Sequence, residues 1–344
     1  MSEYNGAQEF YTLTRRRIHS ECPSCMQLNK PLDEWQSWRA INATKESIIA
    51  HRTLKHHYSI PPLGEKVRLK DYETASTGNF RSEEEARERM RADCEVLAVL
   101  QDKLLAEGRR ALLLIFQAMD GAGKDGTIKH VMSGVDPQAC KVTNFKRPAD
   151  KELKHDYLWR FVKELPERGQ IGIFNRSYYE EVLVSRVHPE RLDEQCLPPS
   201  VQKLKNLWRA RFAQINNFEK YLVENGILPV KIFLHLSKEK QHERLIERTT
   251  LVEKRWKFSL DDIEERGYWN KYMGAYEDAL THTNTRQAPW HIVPADHRWF
   301  SALAVAELVV HKLRALKLHY PHPSDEHREE LAKGKRMLKN EGKG

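Results

Sequence analysis

The residues best suited to chemistry lie in one short segment, where a run of apolar side chains ends in glycines, carboxylates and a lysine. The apolar run covers residues 111–116, and the polar residues after it are Asp120, Gly121, Gly123, Lys124 and Asp125. Small residues let consecutive backbone N–H groups point into one concavity, and the start of the next helix adds partial positive charge. The lysine adds a mobile cation. The segment therefore predicts a binding site for a chain of phosphates.

This phosphate loop differs from the common pattern G-x-x-x-x-G-K-[ST] at two positions, where Ala118 replaces the first glycine and Asp125 replaces the hydroxyl residue. It gains two carboxylates, Asp120 and Asp125, on either side of Lys124. Such carboxylates are expected where Mg²⁺ lies beside bound phosphates, because this ion binds carboxylate, phosphate and water oxygens. A purely structural glycine turn needs neither the lysine nor the carboxylates, so we favour the functional interpretation.

A second polar group follows the predicted strand at residues 171–174 and contains Asn175, Arg176 and Glu180. In open parallel sheets, ligands bind at the carboxyl ends of the strands. Arg176 could clamp a phosphate or stack on a base, and Glu180 offers another carboxylate. Asn175 stands where many P-loop enzymes keep a metal-orienting aspartate. Alone, this segment fits an ordinary helix start equally well, but the phosphate loop upstream favours a second part of the same site.

A third group is basic and spans residues 238–257. Arg244 and Arg248 lie one helical turn apart on one face. Such a segment can close as a lid whose cations neutralise charge on a transferring phosphoryl group. The alternative is a solvated surface helix, because glutamates are interspersed among the cations. The basic residues are Lys238, Lys240, Arg244, Arg248, Lys254, Arg255 and Lys257.

Apolar segments alternate with helical segments, which is typical of a parallel sheet covered on both faces. Predicted strands are residues 111–116, 142–145, 171–174, 230–236 and 290–293. Predicted helices are residues 82–107, 127–132, 151–165, 200–224, 238–249, 269–280 and 301–316. Ser82 caps the first of these helices and Gly108 ends it. The fold class is therefore α/β.

Composition limits the function without choosing it. The 344 residues carry a formal net charge of +8 and 31% charged side chains, with an isoelectric point near 9.1 and a mean hydropathy of −0.71. No apolar run reaches the roughly 18 residues of a membrane span, and residues 1–5 begin no signal segment, so we expect a cytoplasmic protein. The basic charge favours an anionic partner, which could be nucleic acid, a membrane surface or a phosphate-rich substrate.

We divide the chain into an N-terminal extension at residues 1–57, a phosphotransferase domain at residues 58–320 with a lid at about 240–275, and a charged, mobile tail at residues 321–344. The five cysteines have irregular spacing and predict no disulfide framework. Cys22 and Cys25 have the spacing of metal ligands, but the nearby histidines fit no recognised pattern. Reduced thiols are the favoured interpretation, and a metal role stays open.

Taken in order, the three segments resemble the polyphosphate kinase 2 family. Residues 120–127 look like its modified phosphate loop, residues 174–180 like its Walker B region and residues 253–257 like its lid. The resemblance runs from about residue 58 to residue 316. It implies a P-loop kinase fold of the thymidylate kinase type, a three-layer sandwich with a helical lid. It also implies reversible phosphoryl transfer between inorganic polyphosphate and nucleotides, with Mg²⁺ or with Mn²⁺ in its place.

The resemblance also implies roles for individual residues. It makes Asp120, Lys124 and Arg176 catalytic, and Asp120 and Glu180 the metal ligands. The nucleotide would be bound by Lys146, Asn175 and Arg176. Asn175 and Glu180 differ from members that carry Asp and Asn there, and look like the subgroup that accepts both nucleoside mono- and diphosphates. The phosphates would be bound by Gly121, Gly123, Lys124, Asp125, Lys129, Arg244, Lys254 and Arg255.

The expected partners are inorganic polyphosphate and purine nucleotides, rather than nucleic acid or a membrane, and we expect a homo-oligomer. One alternative is an ATP-dependent nucleoside monophosphate kinase of the thymidylate kinase type, against which Ala118 and Asp125 argue. Another is a polyanion-binding protein with a vestigial P-loop. The carboxylates of Asp120, Asp125 and Glu180 argue against it, because they would repel a nucleic acid backbone.

Overall fold

The computed structural model describes residues 57–202 and 204–341. The predictions made for residues 1–56, including the metal question at Cys22 and Cys25, lie outside these described residues. The proposed boundary at residue 57 stays a prediction for the same reason. Within the described residues, no helix is long and apolar enough to cross a membrane.

Five parallel strands form one sheet in the order β2-β3-β1-β4-β5. The central strand β1 is buried along its whole length, because both faces of the sheet are covered. In the register, Phe116 of β1 pairs with Asn175 of β3, so the carboxyl ends of these two strands meet at one edge. The strands are β1 (Ala111–Gln117), β2 (Cys140–Asn144), β3 (Ile171–Asn175), β4 (Ile227–His235) and β5 (Trp290–Pro294).

Helices cover both faces of the sheet and make the three layers that the sequence predicts. Helices α1, α2 and α12 pack on one face, and α5, α8 and α11 on the other. The helices are α1 (Glu83–Glu107), α2 (Lys124–Val131), α3 (Asp150–Leu153), α4 (Trp159–Val162), α5 (Glu180–Val187), α6 (Arg191–Glu194), α7 (Pro199–Gln202), α8 (Leu207–Glu224), α9 (Lys238–Thr250), α10 (Leu260–Gly267), α11 (Trp269–Thr283), α12 (Arg298–Ala315) and α13 (Asp325–Glu341).

Local sequence signals explain where several helices begin and end. Ser82 Oγ accepts a hydrogen bond from Glu85 N at 3.3 Å, and Gly108 ends α1 with a left-handed φ of 59°. The helix predicted at residues 151–165 is instead two short helices, because the Asp156 carboxylate caps a turn at Leu158 N. The tail contains helix α13, all of whose residues are solvent-exposed or half-exposed. Its mobility stays a prediction.

A buried ion pair ties the segment after β3 to the rest of the sheet. Lys231 of β4 and Glu219 of α8 are almost fully buried, and Lys231 Nζ lies 2.8 Å from Glu219 Oε2. The hydroxyls of Tyr178 and Tyr179 donate to Glu219 Oε1 at 3.0 and 2.8 Å. Burial lowers the pKa of Lys231, and the Glu219 charge opposes that shift. The network therefore fixes both tyrosines, which follow Arg176 and Ser177 in the chain.

Replacing Glu219 with Leu should cost about 3–5 kcal/mol of unfolding free energy, because Lys231 would stay buried without its carboxylate. The double variant E219L/K231M should recover about half of this loss or more, because both charges are then removed. Urea unfolding followed by circular dichroism measures both values. A double variant as unstable as the single one would contradict the account.

Candidate active site

The phosphate loop joins β1 to α2 and depends on two glycines with left-handed backbone angles. Gly121 has φ 83° and Gly123 has φ 99°, conformations that other residues adopt only with strain. Gly123 is the N-cap of α2, and its carbonyl accepts the first helical hydrogen bond, from Thr127 N at 2.9 Å. The loop therefore presents the start of an α-helix to the carboxyl edge of the sheet.

Lys124 is the first residue of α2 and is folded back on its own loop. Its Nζ donates to Ala118 O at 3.0 Å and lies 3.9 Å from Asp120 Oδ1. The side chain is only 8% exposed, although it lines the cleft above the loop. Burial lowers the pKa of Lys124, and the Asp120 carboxylate opposes that shift. The expected mobile cation is in fact a buried, preorganised one.

Arg176 joins two carboxylates through one guanidinium group. Its Nη2 donates to Asp120 Oδ1 at 2.7 Å, and its Nη1 donates to Glu180 Oε2 at 3.3 Å. The residue has a left-handed φ of 66°, which is uncommon for residues other than glycine. Its backbone N–H donates to Phe116 O at 3.1 Å. Glu180 and Asp120 raise the pKa of Arg176.

Asp120 stays ionised although it is half-buried. Burial alone would raise its pKa, but the charges of Lys124, Arg176 and Arg248 outweigh burial and hold the pKa below its usual value. Asp120 therefore offers a charged oxygen to the cleft at neutral pH.

Asn175 ends β3 and connects to the phosphate loop. Its Nδ2 donates to Asp125 Oδ1 and to Asn144 Oδ1, both at 2.7 Å. Its Oδ1 is buried without a hydrogen-bond partner. An unsatisfied buried acceptor at the wall of a ligand cleft is costly unless a ligand, a water or an ion binds it. The sequence-predicted residues of β1 and β3 thus meet at one place.

Arg244 contacts a different set of groups from the one predicted. Its Nη1 donates to Gly121 O and Ala122 O at 2.9 Å, and its Nη2 donates to Ala295 O and Asp296 O at 2.7 and 2.9 Å. The residue is 3% exposed. Burial, followed by the nearby Arg298 charge, lowers the pKa of Arg244 to about 10. These donors brace the phosphate loop, while the side chain also forms part of the cleft wall, so its predicted phosphate contact stays a prediction.

The remaining lid residues divide into two groups. Lys254, Trp256 and Lys257 line the cleft, and Lys254 Nζ is bound to Glu247 Oε2 at 2.7 Å. Arg255 is exposed, donates to Thr250 O at 3.3 Å, and is absent from the described lining of the cleft. Lys129 is likewise exposed outside that lining, whereas Lys146 is part of it. Expected phosphate contacts at Arg255 and Lys129 therefore lack support in this geometry.

The segment predicted as a lid, at about 240–275, has two different environments. Helix α9 and the 3-10 turn Val252–Lys257 contribute residues to the cleft wall. Helix α11 begins at Trp269, and Trp269, Tyr272 and Ala275 are buried in the core. The bounds of the lid stay a prediction.

The loop, Arg176 and the lid enclose one cleft of about 910 Å³. A smaller cavity of about 100 Å³ adjoins it and is walled by Glu180, with Arg176 and Lys146 shared between the two. The sequence analysis assigns no role to several lining residues, most of which come from helices distant along the chain from the phosphate loop. They are Arg87 and His130, from α1 and α2, and Arg298 and Trp299, from α12.

The oxygen groups of this site suit a hard divalent cation together with a phosphate ligand. Among the residues that the structure describes, no three His, Cys, Asp or Glu side chains are placed to hold a metal by themselves. Asp120 and the unpartnered Asn175 Oδ1 supply hard oxygen atoms, which fit Mg²⁺ when phosphate and water oxygens complete its shell. The predicted metal ligands Asp120 and Glu180 both contact the Arg176 guanidinium in this arrangement, and their metal role stays a prediction.

Replacing Arg244 with Met should lower the unfolding free energy by about 3 kcal/mol, because four carbonyl oxygens in buried or partly buried contacts lose this donor. Replacing the exposed Arg255 with Leu should change it by less than about 0.5 kcal/mol. Thermal unfolding of the ligand-free protein measures both. A stable R244M variant that fails only in binding tripolyphosphate would show that Arg244 contacts phosphate after all.

Comparison with known proteins gives a consistent result. A family model described as polyphosphate kinase 2 matches residues 80–321. An ADP-polyphosphate phosphotransferase of Rhodopseudomonas palustris is 46% identical over 275 residues, covering 80% of this chain and 95% of the relative. An AMP/ADP-polyphosphate phosphotransferase of Meiothermus ruber is 39% identical, covering 77% and 95%.

Solved structures agree. The crystal structure of polyphosphate kinase 2 from Arthrobacter aurescens matches with a TM-score of 0.70 and 38% identity, over 79% of this chain and 94% of that one. The predicted α/β sandwich of the P-loop kinase type is confirmed by this match and by the parallel sheet. The chain therefore belongs to the polyphosphate kinase 2 family.

Proposed function

We propose that this enzyme transfers the terminal phosphoryl group of inorganic polyphosphate to nucleoside mono- and diphosphates, and does so reversibly. The observation that carries the proposal is the cluster in which Lys124 and Arg176 both approach Asp120 beneath a basic lid. The relatives named ADP-polyphosphate and AMP/ADP-polyphosphate phosphotransferase support the same reaction. An ATP-dependent nucleotide kinase is not favoured by these relatives.

In phosphoryl transfer, the protein contributes mainly by aligning the reacting groups and neutralising their charge, and less by covalent chemistry. Lys124 and the backbone N–H groups at the start of α2 would hold the phosphoryl group that moves. Arg176 would contact the acceptor phosphate, since it lies where the cleft and the smaller cavity meet. Lys254 and Lys257 would cover the polyphosphate chain and exclude water.

We propose Mg²⁺ as the cofactor, with Mn²⁺ able to replace it. Asp120 and the unpartnered Asn175 amide oxygen would hold the ion together with phosphate oxygens, and Glu180 would contribute once Arg176 moves away from it. The ion supplies charge neutralisation between phosphate oxygens when it is bound. Arg176 would then contact phosphate in exchange for its present carboxylates.

The acceptor would enter from the side of the smaller cavity, where Glu180, Lys146 and Arg176 lie together. Glu180 and Asn175 would allow monophosphates as well as diphosphates to be used. The two relatives named above differ in the acceptors that their names give, so the range of acceptors belongs to this proposal. A homo-oligomer and a cytoplasmic location stay predictions.

The proposal is tested by incubating the purified protein with Mg²⁺, long-chain polyphosphate and AMP, ADP, GMP or GDP separately, without ATP. Chromatography should show ADP and then ATP formed from AMP, and the guanine products formed similarly. Conversion of diphosphates alone would refute the use of monophosphates. Phosphorylation that appears only after ATP is added would assign the chain to the ATP-dependent nucleotide kinases.

Replacing Lys124 with Ala should lower kcat by about 1,000-fold or more, because a preorganised cation next to the reacting phosphate is lost. Replacing the exposed Lys66 with Ala is the matched control and should leave kcat unchanged. Initial rates with polyphosphate and ADP measure the effect, and circular dichroism checks the fold. A K124A rate near that of the wild type would contradict the assignment.

Replacing Lys257 with Ala should raise the KM for polyphosphate by about 5–20-fold, because a cation on the wall of the cleft is removed. Replacing the neighbouring Arg255 with Ala should raise it by less than about twofold, because that side chain is exposed outside the lining. Both KM values are measured at one salt concentration. Equal increases in the KM for polyphosphate in both variants would show that Arg255 does contact polyphosphate.

A further inference from the structure

Gln117 is an unusual residue for its position. It ends the central strand β1, whose other residues are the apolar Ala111 to Phe116, and it is 0% exposed. A buried amide in a central strand is costly unless each of its polar atoms has a partner. The side chain at this position must therefore make hydrogen bonds that an apolar residue could not make.

Both ends of this amide contact the segment that carries Arg176 and Glu180. We assign the amide the orientation in which each end meets a complementary group. Its oxygen then accepts hydrogen bonds from Ser177 N at 3.0 Å and from Ser177 Oγ at 3.1 Å, and its nitrogen donates to Glu180 Oε1 at 3.0 Å. Ser177 Oγ in turn accepts from Tyr179 N at 3.3 Å. One buried side chain thus spans the turn at the carboxyl end of β3.

The two oxygens of Glu180 are consequently held by two different partners. Gln117 binds Oε1, and the Arg176 guanidinium lies 3.3 Å from Oε2. The Arg176 contact lies at the cleft, where an incoming phosphate can compete for the guanidinium. The Gln117 contact is buried behind the wall and has no such competitor. Glu180 would therefore keep its orientation after Arg176 turns to a phosphate.

We infer that Gln117 is a positioning residue that fixes the Glu180 carboxylate in the smaller cavity and thereby sets the preference between mono- and diphosphate acceptors. The inference rests on the proposed function, because it gives Glu180 its effect on the acceptor. Gln117 touches no ligand itself. Without its amide N–H, the carboxylate is free to follow Arg176, and monophosphates lose more than diphosphates.

Two replacements separate this role from a general loss of packing. Gln117→Glu keeps an oxygen for the Ser177 N–H and hydroxyl groups but presents no amide N–H to Glu180. Gln117→Met keeps the length of the side chain and removes both contacts. The matched control is Gln101→Met, because Gln101 is 2% exposed and its amide also binds at both ends, to Asp136 O at 2.9 Å and Asp136 N at 2.8 Å.

The experiment measures kcat/KM for AMP and for ADP with polyphosphate as donor, in wild-type and E180N backgrounds. Q117E and Q117M should lower the AMP/ADP ratio by about tenfold in the wild-type background. In the E180N background the same changes should move the ratio by less than about twofold, because the partner of the amide is gone. Q101M should leave the ratio unchanged at a similar loss of thermal stability.

Three results would overturn the inference. The ratio could stay constant in all variants, it could move equally in both backgrounds, or it could move as far in Q101M as in Q117M. Each of these would reduce Gln117 to a structural residue while leaving the polyphosphate reaction intact. A wild-type protein that transfers nothing from polyphosphate would instead overturn the proposed function, and the inference with it.

Discussion

The site depends on how its opposite charges are shared around Arg176. One guanidinium group contacts Asp120 from the phosphate loop and Glu180 from α5, while Lys124 Nζ lies 3.9 Å from the same Asp120 oxygen, Oδ1. Burial alone would raise the pKa of the Asp120 carboxylate. The cations keep Asp120 ionised, so that its oxygens remain available to a metal ion. When a phosphate chain binds, Lys124 and Arg176 must exchange their carboxylate partners for phosphate oxygens. This exchange creates no new charge in the site.

The sheet makes this arrangement possible. Because β1 and β3 are parallel neighbours in register, the loop after one and the turn after the other must meet. Buried polar groups then stabilise the phosphate loop and the turn after β3. Arg244 braces the loop through four carbonyls, and the Lys231–Glu219 pair fixes the tyrosines that follow Arg176. These groups stabilise the positions of Asp120, Lys124 and Arg176, which line the cleft.

Much of the fold followed from local patterns, because five apolar segments and the Ser82 and Gly108 signals leave little freedom. The meeting of Asp120, Lys124 and Arg176 also followed, from the rule that parallel strands share a carboxyl edge. The contacts of Arg244 and Arg255 could not be predicted from the sequence. Both residues lie in one basic run, and only tertiary packing decides which side chain faces the cleft. For the same reason, the sequence did not indicate roles for Arg298 and Gln117, because their neighbours in the fold are distant in sequence.

The exchange of partners around Arg176 is tested most directly by Mn²⁺ titration followed by electron paramagnetic resonance, with and without tripolyphosphate. Since the cations already satisfy Asp120 in the free protein, Mn²⁺ should bind weakly alone and at least about tenfold more tightly with tripolyphosphate. Asp120→Asn should abolish that gain. Equal Mn²⁺ affinity with and without tripolyphosphate, or an unchanged gain in D120N, would contradict the account.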